Sequence, residues 1–303
     1  MNNILYIIIP YFNFLNSKQL EKNLNHFLEK NKFPDNVRLI LSEGYIDSQL
    51  KDHSNKFYKH LKFKFKNIFW IKENLINLAI DNLPEDWQFA VWMDRDVIFT
   101  SKTWVDESIE KLKTSDIIQP WKELEEILEL SSRNIVQTMG VKDSYLFRIQ
   151  QEEDPALRLQ GHPGMAWGIN KNFYNKIKKI PDWFIVGGAD MILACACLND
   201  GKNMPTNATC SIAMAKKTSE YYQFFKNVKS DYVDCKIYHL CHGNRLNRKY
   251  RERVEILAEN NFDPKNDIFY NEEKIIEFSK DWNDRASKEI KDYFISRQED
   301  LIV

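Results

Sequence analysis

The sequence predicts an α/β fold: a mixed, mostly parallel central sheet flanked by helices, followed by a short C-terminal helical appendage. Three observations lead there. Short apolar runs alternate with helix-length stretches through the first third of the chain. Those runs are continuously apolar, as strands covered on both faces must be. And 303 residues with 43% hydrophobic side chains, among them 19 Phe, 13 Tyr and 8 Trp, can build a sizeable core. This length fits one large domain or a domain with an appendage, read here as residues 1–262 and a tail, 263–303, packed on the core.

The first strand is "ILYIIIP", apolar throughout. "SKQLEKNLNHFLEK" has the length and periodicity of a helix, and "VRLILSEG" (37–44) is the second strand. "NIFWI" (67–71) reads as a third strand, followed by a short helix, "ENLINLAIDNLP", that Pro84 ends. "WQFAVWMD" is the next strand. "WVDESIEKLKTS" sets Val105, Ile109 and Leu112 at helical spacing, and "DIIQPW" is strand-like again.

Ligands bind such sheets at the carboxyl ends of the strands, and "VWMDRDVIFT" (91–100) puts Asp94 and Asp96 near one of those ends. Along an extended strand the two carboxylates point the same way and Arg95 points away. Two like charges side by side repel unless something positive lies between them, and a metal ion is the obvious candidate.

Residues 120–160 read as a helix-containing insertion beside the site, either an acceptor wall or lid or a plain excursion from the sheet. Glycine placement is the most informative compositional fact. Only 9 glycines occur in 303 residues, and Gly161, Gly164, Gly168, Gly187 and Gly188 share one window; a typical protein has about 7% glycine. Two more follow Glu43 and His242. Glycine used this sparingly marks positive φ or close approach to a ligand. Gly187 and Gly188 set Asp190 at the start of the apolar helix "MILACACL", where it is a helix cap or, with bare backbone beside it, a group facing substrate.

Further on, "CKIYHLC" alternates like a strand, so His239 and His242 would face opposite ways if the strand continued. His242, before Gly243 at the strand end, is the candidate ligand; His239 is expected to pack beneath. Arg245, Arg248 and Arg251 recur at i, i+3, as on one helix face. They form either a solvated stripe or a diphosphate-binding one. Beyond Phe262, residues 271–282 and 286–295 read as two short amphipathic helices that pack on the core or mediate self-association.

Several classes of protein are disfavoured. With 43 Lys plus Arg against 44 Asp plus Glu, the net charge is -1, so nucleic acid is not an expected partner. The five cysteines include no CxxC pair and read as small hydrophobes in a reducing compartment. "MNNILYIIIPYFNF" lacks the basic start and cleavage site of a signal peptide, and no run approaches the ~20 residues of a membrane span. A soluble, cytoplasmic protein is expected.

Taken in order, "IIIPYFN", "LSEG", "KENLINLAI", "MDRD", "GMAWGINKNFYNKI", "VGGADMILACA" and "HLCHGNRLNRKYRER" resemble the nucleotide-sugar-dependent glycosyltransferases of the GT-A (Rossmann-like) fold. The likeness is to the family 2-like and galactosyltransferase C-terminal-domain group, and it covers residues 4 to 257. It implies that "MDRD" is an Asp-x-Asp motif. Asp96 would coordinate Mn²⁺ or Mg²⁺, Asp94 would contact the ribose or the metal, and His242 would be the third protein ligand. Glu43 would hydrogen-bond the base or ribose, with Gly187, Gly188, Arg245 and Arg248 completing the donor site. Asp190 would be the general base of an inverting transfer to an acceptor hydroxyl, with a uridine diphosphate sugar the favoured donor and a glycan or other hydroxyl compound the acceptor. The sequence departs from the family in carrying Ala189-Asp190 where Glu-Asp is usual, and in its residue types at Lys72, Glu73 and Asn74. Two other readings stand beside this one. A non-catalytic nucleotide-sugar or glycan-binding protein would keep the pocket, and a metal-dependent nuclease or phosphohydrolase would need more carboxylates and a basic surface.

Overall fold

The computed structural model describes residues 3–47, 50, 53, 55–127, 138–151, 160–198, 210–280, 282 and 284–301. Its first half alternates as expected: β1 (Leu5–Phe12), α1 (Lys18–Lys30), β2 (Val37–Tyr45), β3 (Lys59–Lys64), α2 (Lys72–Asp81) and β4 (Phe89–Met93). Then come β5 (Val97–Phe99), α3 (Trp104–Thr114), β6 (Ile117–Gln119), β7 (Glu123–Ile127), β8 (Thr138–Asp143) and α4 (Tyr145–Gln151). The second half holds β9 (Ala166–Asn170), α5 (Lys171–Ile177), α6 (Ala189–Leu198), α7 (Ile212–Tyr222), β10 (Ser230–Tyr232) and β11 (Lys236–Leu240). It closes with α8 (Glu252–Glu259), β12 (Ile268–Tyr270), β13 (Ile276–Phe278) and α9 (Asp284–Ser296).

Seven strands form the central sheet in the order β10-β6-β9-β4-β1-β2-β3. Strands β4, β1, β2 and β3 run parallel, and β9 is antiparallel to both its neighbours. This is the mixed, mostly parallel α/β class expected of the sequence and is in keeping with a GT-A fold. A second sheet, β5-β11-β7-β8, stands beside it. The two share one core in which Ile7, Val91 and Met93 of the first meet Val97, Leu124 and Ile237 of the second.

The structure corrects three expectations. The third strand is Lys59–Lys64, not 67–71. It lies at the edge of the sheet, where "KHLKFK" can leave its lysines in solvent. Phe69 and Ile71 are apolar because irregular backbone carries them into the core. Within 120–160, where a helix-containing insertion was expected, the described residues hold β7, β8 and the short helix α4; residues 128–137 and 152–159 lie outside the described part. In the tail, "NEEKIIEFSKDW" supplies β13 of a hairpin with β12, not a helix. Asn271 Oδ1 accepts from the N–H groups of Glu273 and Ile275, building the turn, and Ile275 and Ile276 are fully buried. Arg245, Arg248 and Arg251 do not share a helix either. Arg245–Arg248 is a 3-10 turn that Lys249 ends at φ 43°, and Arg251 caps α8.

The tail belongs to the core. Ile268, Ile276, Ile290 and Phe294 join the same apolar cluster as Phe69, Leu75 and Trp92. Among the described residues, no helix is long and apolar enough to cross a membrane.

Candidate active site

A cavity of about 910 Å³ opens at the carboxyl ends of β1 and β4. The chain leaves the large sheet at Met93 and enters the second at Val97, so Asp94, Arg95 and Asp96 form a turn and not an extended strand. The alternation expected there fails for that reason, and the two aspartates join different groups.

Asp96 is 1% exposed. Its Oδ2 lies 3.0 Å from Nε2 of His242, and its Oδ1 lies 3.7 Å from Nε2 of His239. The register of β11 on β5 sets His239 opposite Val97, and the Leu240 N–H donates to the Asp96 carbonyl at 2.8 Å. Strand β11 stops at Leu240, so the following turn brings His242 back to the same side as His239. The expectation that His239 packs away from the site therefore fails. Burial, outweighing the pull of Asp96, lowers the His239 imidazole to about 4, so it is uncharged at neutral pH. Burial alone would raise the Asp96 carboxyl. The neighbouring imidazoles and Arg95 outweigh it and hold the group well below the usual carboxylate range. With His239 uncharged, the His242 contact and Arg95 carry most of that effect.

Two atoms of this cluster are orphaned: Asp96 Oδ1 and His239 Nδ1 are buried and have no hydrogen-bond partner. A buried carboxylate oxygen left so is costly, and a cation would satisfy it. The ligand atoms of Asp96, His239 and His242 lie within 4.8 Å of one another, and they are the one such group of three among the described residues. One carboxylate and two imidazoles can hold a divalent ion. Asp94 is not in the group.

Asp94 is instead held by Lys72 at the start of α2, whose Nζ lies 2.7 Å from Asp94 Oδ1 and 3.3 Å from Asp190 Oδ2. Burial would lower the Lys72 ammonium; Asp190, Asp94 and Glu73 outweigh it and keep it charged. Burial raises the Asp190 carboxyl, with Lys72 opposing. Asp190 is reached through Gly187 and Gly188, at φ 88° and 112°. A side chain at Gly187 would also press on the Trp70 ring at 3.1 Å. Burial pushes the neighbouring Glu73 up to about 8, with Asp190 adding to the shift.

No family model matches the sequence, and no curated protein matches it. Among solved structures the chain is similar to S. aureus TarS at 12% identity and a TM-score of 0.44, over 97% of this chain and 43% of that one. It therefore spans less than half the length of TarS. Mannosyltransferase PcManGT from Pyrobaculum calidifontis, solved in complex with GDP-Man and Mn²⁺, is similar at 10% identity and a TM-score of 0.45, over 84% of this chain and 62% of that one. The 4-diphosphocytidyl-2C-methyl-D-erythritolsynthase of Anaerococcus prevotii gives 11% and 0.35, over 77% and 88%. Likenesses this distant say nothing of activity or substrate, which must be read from the site.

Glu43 does not line the cavity. It is buried on β2 with Oε2 2.6 Å from Nε2 of His60, and burial pushes its carboxyl up to about 7. Arg245 lines the cavity but is paired there, its Nη1 donating to Glu126 Oε2 at 3.2 Å. Arg248 stays, its Nη2 donating to the carbonyl oxygen of His242 at 3.1 Å and lying 3.1 Å from Nε2.

Among the lining residues that escaped the sequence reading are Arg253, Arg297 and Glu299. Glu299 Oε2 lies 2.5 Å from Nδ1 of His242, and Arg297 Nε donates to Glu299 Oε1 at 2.6 Å. Gly243 makes this approach possible. It sits at φ 63°, its N–H donates to the Glu299 carbonyl at 3.0 Å, and a Cβ there would lie 3.1 Å from the Arg297 carbonyl oxygen. No local signal marks Glu299, which meets His242 across 57 residues. His239 did have one: His-x-x-His before a glycine permits a strand end between the two.

Proposed function

We propose that the protein is a metal-dependent glycosyltransferase moving a sugar from a nucleoside-diphosphate sugar to an acceptor hydroxyl. The observation that carries this reading is that one cavity holds both the Asp96, His239 and His242 cluster and the Lys72, Asp94 and Asp190 cluster. The first would hold the ion, and two imidazole nitrogens beside one carboxylate favour Mn²⁺ over the oxygen-seeking Mg²⁺. When bound, the ion neutralises charge building on the leaving diphosphate.

The chain's own groups supply the rest. Asp190 accepts the acceptor's hydroxyl proton, and the burial that raises its carboxyl makes it a stronger base. Lys72 orients Asp190 and fixes Asp94, whose other oxygen is left for the ribose or the ion. Arg248 lines the cavity beside His242 and can meet a phosphate. Attack from the Asp190 side, opposite the diphosphate, inverts the anomeric centre. Uridine diphosphate sugars are the donors to try first.

The test is incubation with a panel of nucleotide sugars and Mn²⁺ while following free nucleoside diphosphate. Wild type should release it in an acceptor-dependent way. Asp190→Asn should slow transfer by about 10²–10⁴-fold with donor binding intact, the usual loss for a removed general base. Tight donor binding without turnover for every sugar tried would make the protein a binder and overturn this reading.

A further inference from the structure

We infer that Glu299, far along the chain from the cluster, is a positioning residue that fixes the tautomer of His242 and so readies its Nε2 for the ion. This rests on the metal-dependent reading of the Asp96 cluster. An ionised carboxylate only accepts, so the 2.5 Å contact between Glu299 Oε2 and His242 Nδ1 requires a proton on Nδ1. Nε2, 3.0 Å from Asp96 Oδ2, is the ring nitrogen that faces the cluster and is left for the ion. A carboxylate behind a ligating imidazole sets both its orientation and its basicity.

Glu299 is itself held from three sides. Arg297, 6% exposed, donates to its other oxygen, and the Gly243 N–H donates to its carbonyl. Next along the chain, Asp300 Oδ1 accepts from Ser17 Oγ at 2.6 Å and from the Gln19 N–H at 2.8 Å, tying the segment to the start of α1. Residues 297–300 are thus a strap across the cavity wall, with Glu299 turned inward.

The experiment compares wild type, Glu299→Ala, Glu299→Gln and Asp300→Ala by two measurements. Mn²⁺ affinity is read from the electron paramagnetic resonance of the free ion. The His242 tautomer is read from nitrogen-15 spectra of metal-free protein, with circular dichroism to check folding. Glu299→Ala should weaken Mn²⁺ binding about 10–100-fold, the usual effect of losing such a partner, and should no longer hold the proton on Nδ1. Glu299→Gln, which keeps the size and the backbone contact, should fall between. Asp300→Ala, which loosens the strap but leaves the carboxylate, should stay near wild type in both. Unchanged affinity and tautomer in both Glu299 variants would falsify the inference, as would an equal loss in Asp300→Ala. A wild type that binds no Mn²⁺ would instead overturn the proposed function, and the tautomer spectra would still report on Glu299.

Discussion

Lys72 touches both Asp94 and Asp190 in the cavity, and that contact sets how the proposed base titrates. Burial already raises the Asp190 carboxyl, and Lys72 is the largest influence opposing it. A base must be ionised to act, so kcat/KM should fall as pH drops through this raised value. The acid limb should therefore lie above the ordinary carboxylate range, near 4. Lys72→Met removes the opposing charge at similar length, so the acid limb should move to higher pH still. A limb that stays put or moves down would exclude Asp190 as the titrating base. Asp96, Asp190 and His242 were legible in the sequence because turn glycines or a strand end mark them. Lys72 and His239 were not, because their roles depend on which elements pack together. Lys72 matters only because α2 brings it against the β4–β5 turn and the start of α6.

Secondary-structure elements were most readable where one element is its own explanation. Helix α1 begins at Ser17, whose side chain accepts from the Leu20 N–H, and its apolar face is periodic. Strand β3 was misplaced because an edge strand needs little apolar surface, and β13 because "KIIEF" suits a helix until the Asn271 turn is known. The segment around Gly243 was read only as a strand end, whereas its glycine also seats the strap. Gly243→Ala should cost about 1–2 kcal/mol from the left-handed φ alone. The contact of a Cβ with the Arg297 carbonyl oxygen adds to that cost. Urea denaturation measures it, and stability equal to wild type would show that the strap can move aside. Mn²⁺ affinity should fall in the same variant, because the added Cβ would crowd Glu299 itself, 3.1 Å from its Oε2.

At the level of the whole molecule, the large sheet was legible because its strands β1, β2 and β4 are buried runs in sequence order. The second sheet was not, since it pairs β11 with β5 and β7 across long stretches of chain and its strands are short and charged. The cavity where the sheets meet should bind ion and nucleotide together. Mn²⁺ with uridine diphosphate, at ~100 times the dissociation constant, should stabilise the fold by about 2.7 kcal/mol if only the native state binds. For a protein of this size that is a rise in melting temperature of a few degrees. Either component alone should give less, and Asp96→Ala should remove the synergy. Equal shifts in wild type and Asp96→Ala would detach the aspartate from the nucleotide site.

The turn from Asp94 to Asp96 also has a mechanical meaning. It is the covalent tether between the two sheets at the site, and three residues span at most about 10 Å fully stretched. One end is fastened to the large sheet by the Asp94 N–H on the Met165 carbonyl, the other to the second sheet by the Leu240 N–H on the Asp96 carbonyl. The sheets therefore cannot part like jaws without pulling the presumed metal ligand away from the acceptor side. On the proposed reading, a bulky acceptor would enter along the seam, past loops and the strap.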